Sequence, residues 1–85
     1  MNLYSVSYGI DNWLAKSDTG DYTMTTNKEN RHVFYTRKLA YNAIDDYLTG
    51  HTGQVMLVIY GDVMKSWFTV NTEKFTCKVG KHIQI

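Results

Sequence analysis

The sequence predicts an α+β fold in which an antiparallel sheet of about five strands carries one central helix packed on one face. Three observations predict it. Alternation near the N-terminus has the period of a half-buried strand, one stretch near the middle has helical spacing, and the remainder returns to apolar runs separated by turn formers. Strands first, a helix in the middle and a meander after it leave the sheet face away from the helix open to solvent or to a partner.

In residues 3–10, Tyr4, Val6, Tyr8 and Ile10 alternate with Ser5, Ser7 and Gly9, so the first set is expected to point inward. Asp11 and Asn12 punctuate this strand. Segments 13–16 and 21–26 flank Ser17, Asp18, Thr19 and Gly20, a set of turn formers that suits a hairpin. Residues 27–32 are polar and read as a loop, after which Val33, Phe34 and Tyr35 lead into the helix. Thr36 is its expected N-cap, since its hydroxyl accepts from an otherwise orphaned N–H. Leu39, Ala40, Ala43, Ile44, Tyr47 and Leu48 recur on one face, and Gly50 stands where a left-handed residue closes a helix, which predicts a helix over about 37–49.

The apolar run 55–60 reads as a central strand, Gly61 and Asp62 as a tight turn, 63–70 as a strand and 71–73 as a further turn. In the last series Phe75, Cys77, Val79, Ile83 and Ile85 share one phase, while Lys74, Thr76, Lys78, His82 and Gln84 share the other, with Gly80 placed to bend the strand. The core expected from these phases is Val6, Leu39, Ala43, Ile44, Val55, Leu57, Ile59, Phe75 and Val79.

Eighty-five residues form a single domain, 1–85, and a domain of this size buries only about 60% of its unfolded surface, so a deep enclosed active site is not expected. A homodimer is expected instead, because one helix covers the sheet and the chain ends in Ile83 and Ile85. The longest apolar run is far short of the roughly 20 residues that span a bilayer, and the N-terminus has no basic segment before an apolar stretch. These features predict a cytoplasmic protein with no membrane partner. A formal charge of +1 differs from that of a bulk nucleic-acid binder, so any such role must come from local patches.

No catalytic, metal or cofactor motif stands out. The one cysteine, Cys77, forms no disulfide within the chain and falls on the apolar phase of its strand, which reads as a buried residue. Asp45 and Asp46, adjacent on a helix, point about 100° apart and do not converge on one site. His32, His51 and His82 are dispersed. The run Gly50, His51, Thr52, Gly53 resembles a phosphate loop but lacks its lysine and precedes a strand, so it reads as a helix stop.

Charge placement on the helix is more informative. Arg37 and Lys38 stand in the first turn and Asp45 and Asp46 in the last, against the helix dipole, at a cost of roughly 0.3–1 kcal/mol for a well-placed charge. Lys28, Arg31, His32, Arg37 and Lys38 place five basic or titratable residues in eleven positions with only Glu29 opposing, beside Tyr35 and Tyr41. This set is the first candidate contact surface, with Tyr41 on the exposed side of the helix. It suits an acidic protein surface or unstacked RNA equally. Lys74, Lys78 and His82 form a second candidate row, for which the plainer reading is edge-strand lysines that oppose aggregation.

The proline-free chain, rich in Tyr, Thr and Asn and without an enzyme motif, resembles in style the small accessory proteins of T-even-like bacteriophages. That resemblance implies a non-enzymatic inhibitor or modulator of a host macromolecule, such as a defence nuclease or a toxin of a toxin–antitoxin pair, acting in the bacterial cytoplasm, with RNA involved in some cases. The alternatives are a protein that binds single-stranded RNA directly and a small enzyme.

Overall fold

The computed structural model describes residues 1–48, 53–63, 66–78 and 81–84, with the backbone alone at Val63, 76–78 and 81–84. Six strands and one α-helix follow one another among the described residues: β1 (Leu3–Tyr8), β2 (Asn12–Lys16), β3 (Tyr22–Thr25), α1 (Arg37–Leu48), β4 (Gly53–Val63), β5 (Ser66–Lys78) and β6 (Lys81–Gln84). A single 3-10 turn, Lys28–Asn30, interrupts the expected loop before α1. The strands form one antiparallel sheet in the order β3-β2-β1-β4-β5-β6. The α+β fold expected from the sequence is therefore formed, with six strands rather than five.

Local chemistry explains most of the boundaries. Gly9 (φ 63°) and Asp11 (φ 61°) take left-handed conformations that turn β1 into β2, which leaves Ile10 outside the strand and 85% exposed, not inward as its phase suggested. The β2–β3 turn closes through Ser17 N–H to Asp21 O at 2.8 Å and Gly20 N–H to Ser17 O at 3.0 Å. Thr36 caps α1 as expected, its Oγ1 accepting from Leu39 N–H at 3.1 Å.

The core lies between α1 and one sheet face. Antiparallel pairing sets Tyr4, Val6 and Tyr8 of β1 opposite Ile59, Leu57 and Val55 of β4, and Val55 opposite Phe75 of β5, so these side chains share the face under Ala40, Ala43, Ile44 and Leu48. Leu14 and Phe34 complete the cluster and were not in the expected set. Leu39 was, but it is 50% exposed because the buried stripe of α1 is centred on Ala40 and Ile44. Val79 lies outside the described residues, as do Gly50, His51, Thr52, Gly80 and Ile85.

β1 and β2 pair only at Ser7–Trp13 and Tyr8–Asn12, then diverge. Residues 31–34 fill the fork. Tyr4 and Phe34 exchange two backbone hydrogen bonds, 2.9 and 2.7 Å, and His32 N–H donates to Leu14 O at 2.9 Å. The polar segment after β3 is thus inserted into the sheet as an extra rung.

Two expected turns are not turns. Gly61 and Asp62 continue β4, and Asn71, Thr72 and Glu73 continue β5. Gly61 is needed for close approach instead: an added Cβ would stand 2.7 Å from Val70 Cγ1. Ile59 pairs with Asn71 and Tyr60 with Thr69, so Val70 is the extra residue of a bulge. β4 leaves β1 after the Leu3–Tyr60 pair, and the far part of the β4–β5 hairpin projects beyond the sheet as a two-stranded arm. The final series also folds back, as β5 and β6, rather than running on as one strand.

Candidate functional site

The first candidate set does not form one surface. His32 is turned to the helix side, where its ring meets Phe34 edge-on at 4.7 Å and Tyr22 at 6.5 Å. Burial there, followed by the charge of Lys16, holds its pKa below the ordinary value of 6.5. Arg37 is engaged by an ion pair with Glu73 of β5, and Tyr41 joins it, accepting from Arg37 Nη1 at 3.3 Å and donating to Glu73 Oε1 at 3.2 Å. The Tyr41 bond chiefly raises the Arg37 pKa, with desolvation by burial opposing it and the Glu73 charge adding to it. Tyr41 is half-buried with its ring edge-on to Phe75 at 5.5 Å, which corrects its placement on the exposed side of the helix. Lys38 and Tyr35 remain exposed.

Lys28 and Arg31 lie elsewhere, on the sheet face away from α1. Ser7 pairs with both Trp13 and Met56, and Met56 with Lys74, so Trp13, Ser7, Met56 and Lys74 form one cross-strand row opposite in phase to Val6 and Leu57. Lys28 Nζ stands 5.4 Å over the Trp13 ring, and the Arg31 guanidinium 5.1 Å over the ring of Tyr60. The 3-10 turn positions both cations. Asn27 Oδ1 caps it by accepting from Glu29 N–H at 3.0 Å, and Lys28 O accepts from the Arg31 backbone and from Arg31 Nη1 at 3.1 and 2.9 Å.

Beneath these cations the face is closely packed although among the described residues no helix covers it. Ser5, Ser7, Ala15, Val58 and Tyr60 are buried, and Ser5 Oγ donates to the Tyr60 hydroxyl at 3.0 Å. The serines assigned to a solvated phase are therefore buried, small enough for Tyr60 and Arg31 to lie across them. Counting back from the antiparallel Tyr4–Phe34 bridge brings Arg31 level with Ser7. Arg31 Nε and Ser7 Oγ are both buried donors without a protein partner among the described residues.

The second candidate row also divides. Lys74 is exposed and shares the open face with Lys28 and Arg31, and Lys78 keeps its phase along β5. His82 does not belong to that row: β6 pairs it with Cys77, in the phase of Phe75, while Lys81 is the residue opposite Lys78. The fold-back between β5 and β6 reverses the phase that a continuous strand would have kept. The side chains of Cys77, Lys78 and His82 lie outside the described residues.

Compared with known proteins, the chain matches no family model, no curated protein and no solved structure. Among the described residues no three His, Cys, Asp or Glu side chains group to hold a metal ion, and no helix is long and apolar enough to cross a membrane. One face carries three cations drawn from both candidate sets, Lys28 and Arg31 near β2 and β1 and Lys74 on β5, and local charge could not show that they share it, because that depends on the fork between β1 and β2 and on the β4 register.

Proposed function

We propose that the chain is a non-enzymatic binding protein that recognises an acidic surface of another protein through the open sheet face. The observation that carries this reading is that Lys28, Arg31 and Lys74 all stand on that one face, spread across it from β2 to β5. Lys28 and Arg31, held over the Trp13 and Tyr60 rings, lose less freedom on binding than unheld cations and so favour complementary charge over non-specific attraction. The likeness in style to phage accessory proteins points toward a host enzyme, such as a nuclease or toxin, as the protein that is bound and modulated.

Direct binding of single-stranded RNA is the second reading, since basic and aromatic side chains occur together here. Base stacking needs an exposed ring face. Tyr60 is buried beneath Arg31, and Lys28 lies over Trp13, which favours the protein partner.

The test is capture from bacterial lysate by the immobilised chain, with and without ribonuclease, beside a Lys28→Glu/Lys74→Glu variant. Both lysines are exposed, so the variant is expected to fold. A captured protein that survives ribonuclease and is lost at least tenfold in the variant supports the reading. Capture abolished by ribonuclease moves the function to RNA, and capture equal in both chains places the contact away from this face.

A further inference from the structure

We infer that the projecting β4–β5 arm pairs edge to edge with the same arm of a second copy of this chain, around a two-fold axis at Phe68. This inference stands apart from the acidic-partner reading and uses a different surface. β6 covers β5 only at Phe75, Thr76, Cys77 and Lys78, so among the described residues no strand covers the outer edge of 66–74. Such an edge is a template for another strand.

Three observations choose the occupant and the register. First, Thr72 N–H is taken by the side chain of its neighbour, Asn71 Oδ1, at 2.8 Å, which removes that donor from the edge and sets 66–70 apart as the strip on its near side. Second, the strip holds Ser66, Trp67, Phe68, Thr69 and Val70, five residues with no charge, whereas Glu73 and Lys74 lie beyond Thr72. Antiparallel pairing of the strip with itself sets Phe68 against Phe68, Trp67 against Thr69 and Ser66 against Val70, with no like charges opposed. Third, the arm is exposed on both sides: Trp67 is 44%, Phe68 42% and Val70 46% exposed. Phe68 and Val70 both pack over Gly61, so a paired copy extends one apolar ladder across the axis. A domain this small gains more than most from such a supplement.

The experiment is sedimentation of the intact chain, of Phe68→Lys, of Phe68→Glu and of an equal mixture of the two variants, with circular dichroism confirming that each is folded. Wild type is expected to sediment above the 9.9 kDa monomer at high micromolar concentration. Each variant alone is expected to be monomeric, because like charges then meet at the axis. The mixture is expected to recover the dimer, because the introduced ammonium and carboxylate then face one another. A wild-type monomer at that concentration overturns the inference. A dimer indifferent to both variants places the interface elsewhere, and a dimer lost in both but not restored on mixing rules out the pairing at Phe68.

Discussion

At the scale of single residues, Arg37 and Lys38 are neighbours in sequence with opposite parts to play. A helix N-terminus favours acids by roughly 0.3–1 kcal/mol, so Lys38→Glu, on an exposed side chain, is expected to raise the melting temperature slightly. Arg37→Glu gains the same dipole term but gives up its ion pair and sets a carboxylate beside Glu73. Because the Arg37 side chain is 41% exposed, the lost pair is worth no more than about 1 kcal/mol, yet with the new repulsion the variant is expected to melt below wild type. Equal shifts in the two variants would show that the Glu73 contact contributes nothing. His32 gives a pH dependence. Its folded pKa is depressed, so just below the ordinary value of 6.5 the unfolded chain binds more protons than the folded one, and stability falls as pH drops through that window. His32→Phe, which keeps a ring against Phe34 and Tyr22, is expected to flatten this slope in melts between about pH 7 and about pH 5, above most carboxylate titration.

At the scale of elements, Ile44 and Leu57 join α1 to β4, and both are buried. Ile44→Ala and Leu57→Ala are each expected to cost about 2–5 kcal/mol, read by chemical denaturation, while Leu39→Ser is expected to stay within about 0.5 kcal/mol. That contrast also shows what the sequence could and could not tell. The apolar stripe located α1 from its start at Arg37 through Leu48, the expected end at 49 lying outside the described residues, and the phases of β1 and β4 named Val6, Val55, Leu57 and Ile59. The width of the stripe did not reveal its centre, so Leu39 was placed inside and Ala40 was given no special weight. Glycine misled for a related reason: Gly61 marks a close approach by Val70, and composition cannot distinguish that from a turn. The candidate site was less legible than the fold. Lys28 and Arg31 were named from local charge, but Lys74 is far along the chain and shares their face only through strand register.

At the scale of the whole molecule, the sheet is held unevenly, and amide hydrogen exchange should map that unevenness. β4 is central, paired with β1 and β5 over residues 55–60 and covered by α1, so amides around Leu57 are expected to exchange only through global unfolding. β3 is a short edge strand and should open earlier. The arm sets the sharper test, because residues 61–63 and 66–69 are strand by geometry yet lie beyond the last β1 pair, and residues 66–69 are exposed. In dilute protein their amides are expected to exchange far faster than those of Val55 or Leu57 in the same β4–β5 hairpin. Raising the concentration should slow exchange in 66–70 while leaving β3 unchanged, because pairing with a second copy protects that strip alone. Protection of the arm equal to that of Leu57 in dilute protein would mean that the arm is held by the body of the domain. Slowing at β3 instead of 66–70 would assign self-association to the opposite edge of the sheet.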